Sequence, residues 1–85
     1  MKAKINKAVL ADLQAAFTPD LHSPSGLRWN RWNGGVGIRS RDAGEVAGGL
    51  TTSGVYVVSL DGAKYLSWEV MVALHRARHR AEVAV

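Results

Sequence analysis

His75 and His79 stand four residues apart in a stretch with helical patterning, so both imidazoles could face one metal ion, with His22 as a distant third ligand. A zinc-protease helix would place Glu directly after the first of them, and here Arg76 follows. Arg76 and Arg80 repeat the same four-residue spacing, which makes this a basic helix face of Arg76, His79 and Arg80 that becomes more cationic as the histidines protonate. Ser53, Ser59 and Ser67 have no His–acid arrangement around them and no nucleophile elbow. The glycines at 34, 35, 37, 44, 48 and 49 do not form a phosphate-cradling loop ending in Lys-Ser or Lys-Thr. These residues point to no catalytic group, no metal and no cofactor.

A second constellation carries more. Arg28, Arg31, Arg39 and Arg41 crowd one short segment, interleaved with Trp29 and Trp32. Guanidinium groups pair with phosphate oxygens, and indole rings stack on bases or anchor interfaces, so the pattern suits nucleic acid or a protein that handles it. Eleven Lys and Arg against seven Asp and Glu leave a net charge of +4, and the pI near 10.0 favours polyanions. The plainer reading, a solvated face of a basic protein, stands beside it.

Eighty-five residues make one domain, 1–85, with room for a single modest core. The lack of cysteine removes disulfides and thiolate metal sites and fits a cytoplasmic protein. Asp12 and Gln14 interrupt the apolar run that a signal peptide would need after the basic opening, and no stretch is apolar enough to span a bilayer. The expectation is an intracellular protein with no membrane contact. Oligomeric state is not encoded legibly.

Around these residues the elements follow from spacing. Ile5, Val9, Leu10, Leu13 and Phe17 recur at three and four, predicting a helix over about 4–17 with this stripe in the core. Pro19 and the cluster Asp20 to Gly26 then predict a loop. Leu27 to Trp32 alternates as a strand, with Leu27 and Trp29 on one face and Arg28, Asn30 and Trp32 on the other. Within the glycine-rich stretch to Gly49, Val46-Ala47 and Leu50 could form a short pairing strand. Asp61-Gly62 tolerates the positive φ of a two-residue hairpin turn, joining a strand with Val55, Val57 and Ser59 outward and Tyr56, Val58 and Leu60 alternating with them to Lys64-Tyr65-Leu66. Ser67 is placed to cap a final helix from Trp68 to about Glu82, which turns Val70, Ala73, Leu74 and Ala77 to the core. Trp29 reads as core, while Trp68 could close the core or lie exposed. The fold class is α+β: an N-terminal helix, a small three-stranded antiparallel sheet, and a C-terminal helix packed on that sheet.

In order, Phe17-Thr18-Pro19-Asp20, Ser25-Gly26-Leu27-Arg28-Trp29, Ala43-Gly44-Glu45-Val46-Ala47-Gly48-Gly49-Leu50 and Gly54-Val55-Tyr56-Val57-Val58-Ser59-Leu60-Asp61-Gly62-Ala63-Lys64-Tyr65-Leu66 resemble the N-terminal part of phage-type HNH homing endonucleases. Members of that family carry a "D-P-x-T-G-x-x-x-W" segment, an "A-G-x-x-A-G" segment and a "G-Y-x-x-V-x-x-D-G-K-x-Y" hairpin. The resemblance covers roughly residues 5 to 78, and the arrangement is also similar to the DNA-binding domain of plant ethylene-response factors and of some phage integrases. It departs in three places. Ser67-Trp68-Glu69 replaces the family's "A-H-R"; the nuclease core with "D-H-x-x-G" does not occur in these residues; and the outer strand face carries Val55, Val57 and Ser59 where the family often has Arg or Lys.

The resemblance implies a small phage or prophage-type accessory protein that binds nucleic acid through a basic, aromatic sheet face and has no nuclease activity. Arg28, Arg31, Arg39 and Arg41 would make the contact with Trp32 beside them. The uncharged outer face around Val57 suits a protein partner better than phosphate, which keeps a second class level with the first. In that class the protein is a phage-encoded inhibitor, like anti-CRISPR proteins, that blocks a host nucleic-acid enzyme.

Overall fold

A computed structural model describes residues 4–83, with side chains described up to residue 80. Met1, Lys2 and Ala3 of the basic opening lie outside that range, as does the Glu82 side chain at the predicted helix end. The first helix, α1, spans Lys7–Ala16 and not 4–17, because the Asn6 side chain accepts the backbone N–H of Val9 at 2.9 Å and sets the N-terminus there. Leu13 and Ala16 are fully buried, and Ile5, Val9 and Leu10 pack against the core from its rim.

Phe17 belongs to the core as predicted, but from a strand. Its backbone is already extended, and β1 runs Phe17–Pro19 where the end of the helix and the start of a loop were expected. Proline at 19 disfavours a helical Thr18, so the chain leaves α1 straight into pairing geometry. β1 pairs antiparallel with β2, Leu27–Trp29, in the register Phe17↔Trp29 and Pro19↔Leu27. The Phe17 and Trp29 rings meet at 4.6 Å between centroids, tilted by 49°.

The predicted strand to Trp32 therefore ends three residues early. At its end Asn30 meets the C-terminus of α1: its backbone N–H donates to the Ala16 carbonyl at 2.8 Å, and its Nδ2 donates to the Gln14 and Ala15 carbonyls. Those carbonyls are orphans at a helix C-terminus, and Asn30 satisfies them. Trp32 is consequently not on a strand face with Arg28.

A separate three-stranded antiparallel sheet has the order β3-β4-β5, formed by Gly49–Leu50, Tyr56–Leu60 and Ala63–Leu66. The expected single sheet is thus split in two. Val46 and Ala47 do not share a strand with Leu50; Val46 bridges Arg28, and the Ala47 N–H donates to the Leu27 carbonyl, so this segment runs along β2 and links the two sheets. The hairpin is as expected: Asp61 and Gly62 have φ of 51° and 81°, and Leu60 pairs Ala63.

Across β4 and β5 the paired Val58 and Tyr65 point into the core, while Ser59 and Lys64 are exposed on the opposite face, with half-buried Val57 beside them. The second helix, α2, spans Ser67–Val83, so Ser67 is its buried first residue and not a cap outside it. α2 places Val70, Met71 and Leu74 against Val58, Tyr65, Phe17 and Leu27 in one continuous core. Ala73 and Ala77 are only half-buried, and Trp68, 66 % exposed, lies outside the core at the helix start.

Candidate nucleic-acid interface

Between Asn30 and Gly44 the chain forms a loop that buries almost nothing and is held by polar contacts instead. Asn33 is its hub. The Asn33 Oδ1 accepts the N–H groups of Gly35 at 2.8 Å and Arg41 at 3.0 Å, its Nδ2 donates to the Arg39 carbonyl at 2.9 Å, and its backbone N–H donates to the Arg41 carbonyl. One side chain thereby ties both ends of the loop together. Trp32 adds a second clasp, its Nε1–H shared between the Gly35 carbonyl and the Ser40 hydroxyl, both at 3.1 Å. With its N–H turned inward the Trp32 side chain remains 57 % exposed.

At Gly35 the closure is tight. A Cβ there would lie 2.5 Å from the Arg39 carbonyl oxygen, so two backbone segments meet at a distance that only glycine permits. Beyond it a single 3₁₀ turn, Gly37–Arg39, forms the tip, where Val36 and Ile38 are 84 % and 92 % exposed.

Three predicted arginines decorate this loop. Arg31 and Arg39 are exposed, and their guanidinium groups have no hydrogen-bond partner among the described residues. Arg41 folds its Nη1 onto the Ile38 and Ser40 carbonyls at 2.8 and 2.7 Å, which fixes its charge beside the tip. Ile38, Arg39 and Arg41 line a shallow groove of about 580 Å³ together with Trp29, Gly48, Gly49, Val57 and Ser59. The structure thus joins Arg39, Arg41 and Val57 across one depression, although they lie far apart in the chain.

Arg28 stands apart from them. Its Nε donates to the Asp20 carboxylate at 2.7 Å and its Nη1 donates to the Gly44 carbonyl at 3.0 Å, so it holds the Asp20 turn and the far end of the loop. That hydrogen bond from Arg28, with the backbone N–H of His22, holds the Asp20 carboxyl below its usual 3.8. Arg28 serves the site by fixing its base. The Arg76, His79 and Arg80 stripe is exposed on α2, which packs on the Val58 side of the sheet, so it does not join the groove.

The sequence pattern gave Asn33, Gly35, Asp20 and Asn30 no role in a site. The signal for Asn33 was present as Asn-Gly-Gly, a turn signature, but its bonds to residues six and eight positions away are not readable from local pattern. Among the described residues no group of three His, Cys, Asp or Glu side chains could hold a metal, and no helix is long and apolar enough to cross a membrane. No protein-family model, no curated protein and no solved structure matches the chain.

Proposed function

We propose that this protein binds nucleic acid through the loop 30–44 and the groove beside it, without cleaving it. The observation that carries the reading is the placement of Arg31, Arg39 and Arg41 on one loop whose shape is set by Asn33 and Trp32 and not by a ligand. Solvent-facing guanidinium groups on a loop whose backbone is already fixed can exchange water for phosphate oxygens without ordering the main chain. A net charge of +4 adds long-range attraction. Trp32 flanks the arginines with an open ring for a base or sugar. The resemblance to the DNA-binding module of phage HNH endonucleases supports the same assignment for a phage-type accessory protein, with Arg28 in a supporting role.

A second reading rests on one observation: Val36, Ile38, Leu50 and Val55 are all exposed. Exposed apolar residues of this number suit a protein partner, and the protein would then act as an inhibitor of a host nucleic-acid enzyme. Fluorescence anisotropy with random duplex DNA, run beside a pull-down from nuclease-treated host lysate, separates the two. Direct binding that falls steeply with salt, with each Arg→Ala at a phosphate contact lowering the slope by about one unit, supports the first. Weak DNA binding at physiological salt, with a protein complex lost in Trp32→Ala, supports the second.

A further inference from the structure

The loop tip presents a chemical contradiction. Val36 and Ile38 project into solvent next to Arg39 and the fixed guanidinium of Arg41, although a tip built only for phosphate would be polar. The backbone beneath them is placed by a 3₁₀ turn, the Asn33 hub and the close approach of Gly35 to the Arg39 backbone. Both are β-branched, with restricted χ1, so they are stiff projections. Aliphatic side chains lack a π face and make poor platforms for single-stranded bases, a role that falls to aromatic rings. Rigid aliphatic groups flanked by arginine are instead the means by which minor-groove proteins part a base step while cations hold the phosphates on either side.

Building on the nucleic-acid reading above, we infer that the substrate is duplex DNA and that Ile38, backed by Val36, is a wedge inserted between base pairs from the minor groove, kinking the duplex. Arg39 and Arg41 bind the phosphates beside the wedge, and the shallow groove toward Gly48 and Gly49 receives the bent backbone. Flexible pyrimidine–purine steps are preferred, since they unstack most easily.

The test uses the full chain and a duplex of about two helical turns carrying 2-aminopurine at a central TA step and a donor–acceptor dye pair at its ends. The wild type is expected to raise 2-aminopurine fluorescence and to bend the duplex by about 20–90° as read by energy transfer. Val36→Ser/Ile38→Ser, at exposed positions, should lose both signals while keeping the salt slope of binding. Ile38→Leu should restore them on a Val36→Ser background, and Arg39→Ala should lower the slope by about one unit. Binding without bending or unstacking, or a double Ser variant that bends DNA like the wild type, overturns the wedge and leaves the nucleic-acid reading standing. No DNA binding at low salt overturns both, and capture of anionic phosphatidylserine vesicles by the same tip would then reassign it to a membrane surface.

Discussion

Two halves of this molecule are held together by different forces. The hairpin and α2 are held by burial: Val58, Tyr65, Val70, Met71 and Leu74 lie at or below 4 % exposure and lock the sheet to the helix. The loop 30–44 has almost no buried apolar side chain and relies on Asn33, Trp32 and Arg41 hydrogen-bonding its own backbone. Burial is insensitive to which surface faces outward, whereas a polar scaffold can hold charged and apolar groups in solvent at defined positions. The difference explains why the candidate site sits on the half with the weaker core. Trp29 joins the two, packed on Phe17 and also lining the groove.

The sharpest way to break this contrast is at that joint. Trp29→Ala should cost about 3–5 kcal/mol of global stability, whereas Val57→Ala, on the outer sheet face, should cost well under half of that. Urea denaturation checks both, and equal losses would show that Trp29 is not the buried joint of the two regions. Next in size, Asn33→Ala should lower the free energy of local loop opening by about 1–3 kcal/mol while the global transition moves little. Hydrogen exchange at the amides of Gly35 and Arg41 reads the local change directly. Gly35→Ala should disturb the same amides through the clash with the Arg39 carbonyl, and a shift of the whole unfolding transition would mean that the loop is not a separate unit.

The smallest effect concerns pH. Because Arg28 lowers the Asp20 pKa in the folded protein, Asp20 contributes stability that is present above its ordinary 3.8 and lost as pH falls through the lower folded value. Asp20→Asn should therefore flatten the wild-type stability profile below about pH 4 and leave its shape unchanged at neutral pH. Unfolding midpoints measured across that range decide it, and an unchanged acid limb would show that the pair contributes nothing measurable.

The same contrast decides what could be read from sequence. Asp61-Gly62, the alternation through Val58 and the Val70 and Leu74 stripe are local patterns with local causes, and the structure reproduces them. Strand ends failed where a distant group intervened: the Asn30 side chain is taken up by the carbonyls of α1, and Val46 bridges Arg28 outside any strand. Four arginines in one segment made this a candidate region, yet the segment could not reveal that Arg28 is committed to Asp20 and Gly44. Nor could it reveal that Arg39 and Arg41 share a groove with Val57. Those facts belong to the closure of the loop, which Asn33 controls through contacts that no local periodicity encodes.

The most direct measurement is a map of backbone amide shifts by NMR while the full chain is titrated with a short duplex at low salt. Binding through the loop and its groove predicts changes concentrated at residues 31–41, at Gly48 and Gly49 and at Val57 and Ser59, with the Trp32 indole N–H among them and the α2 stripe of Arg76, His79 and Arg80 nearly unmoved. Changes centred on that helix stripe, or no changes at all, would contradict it.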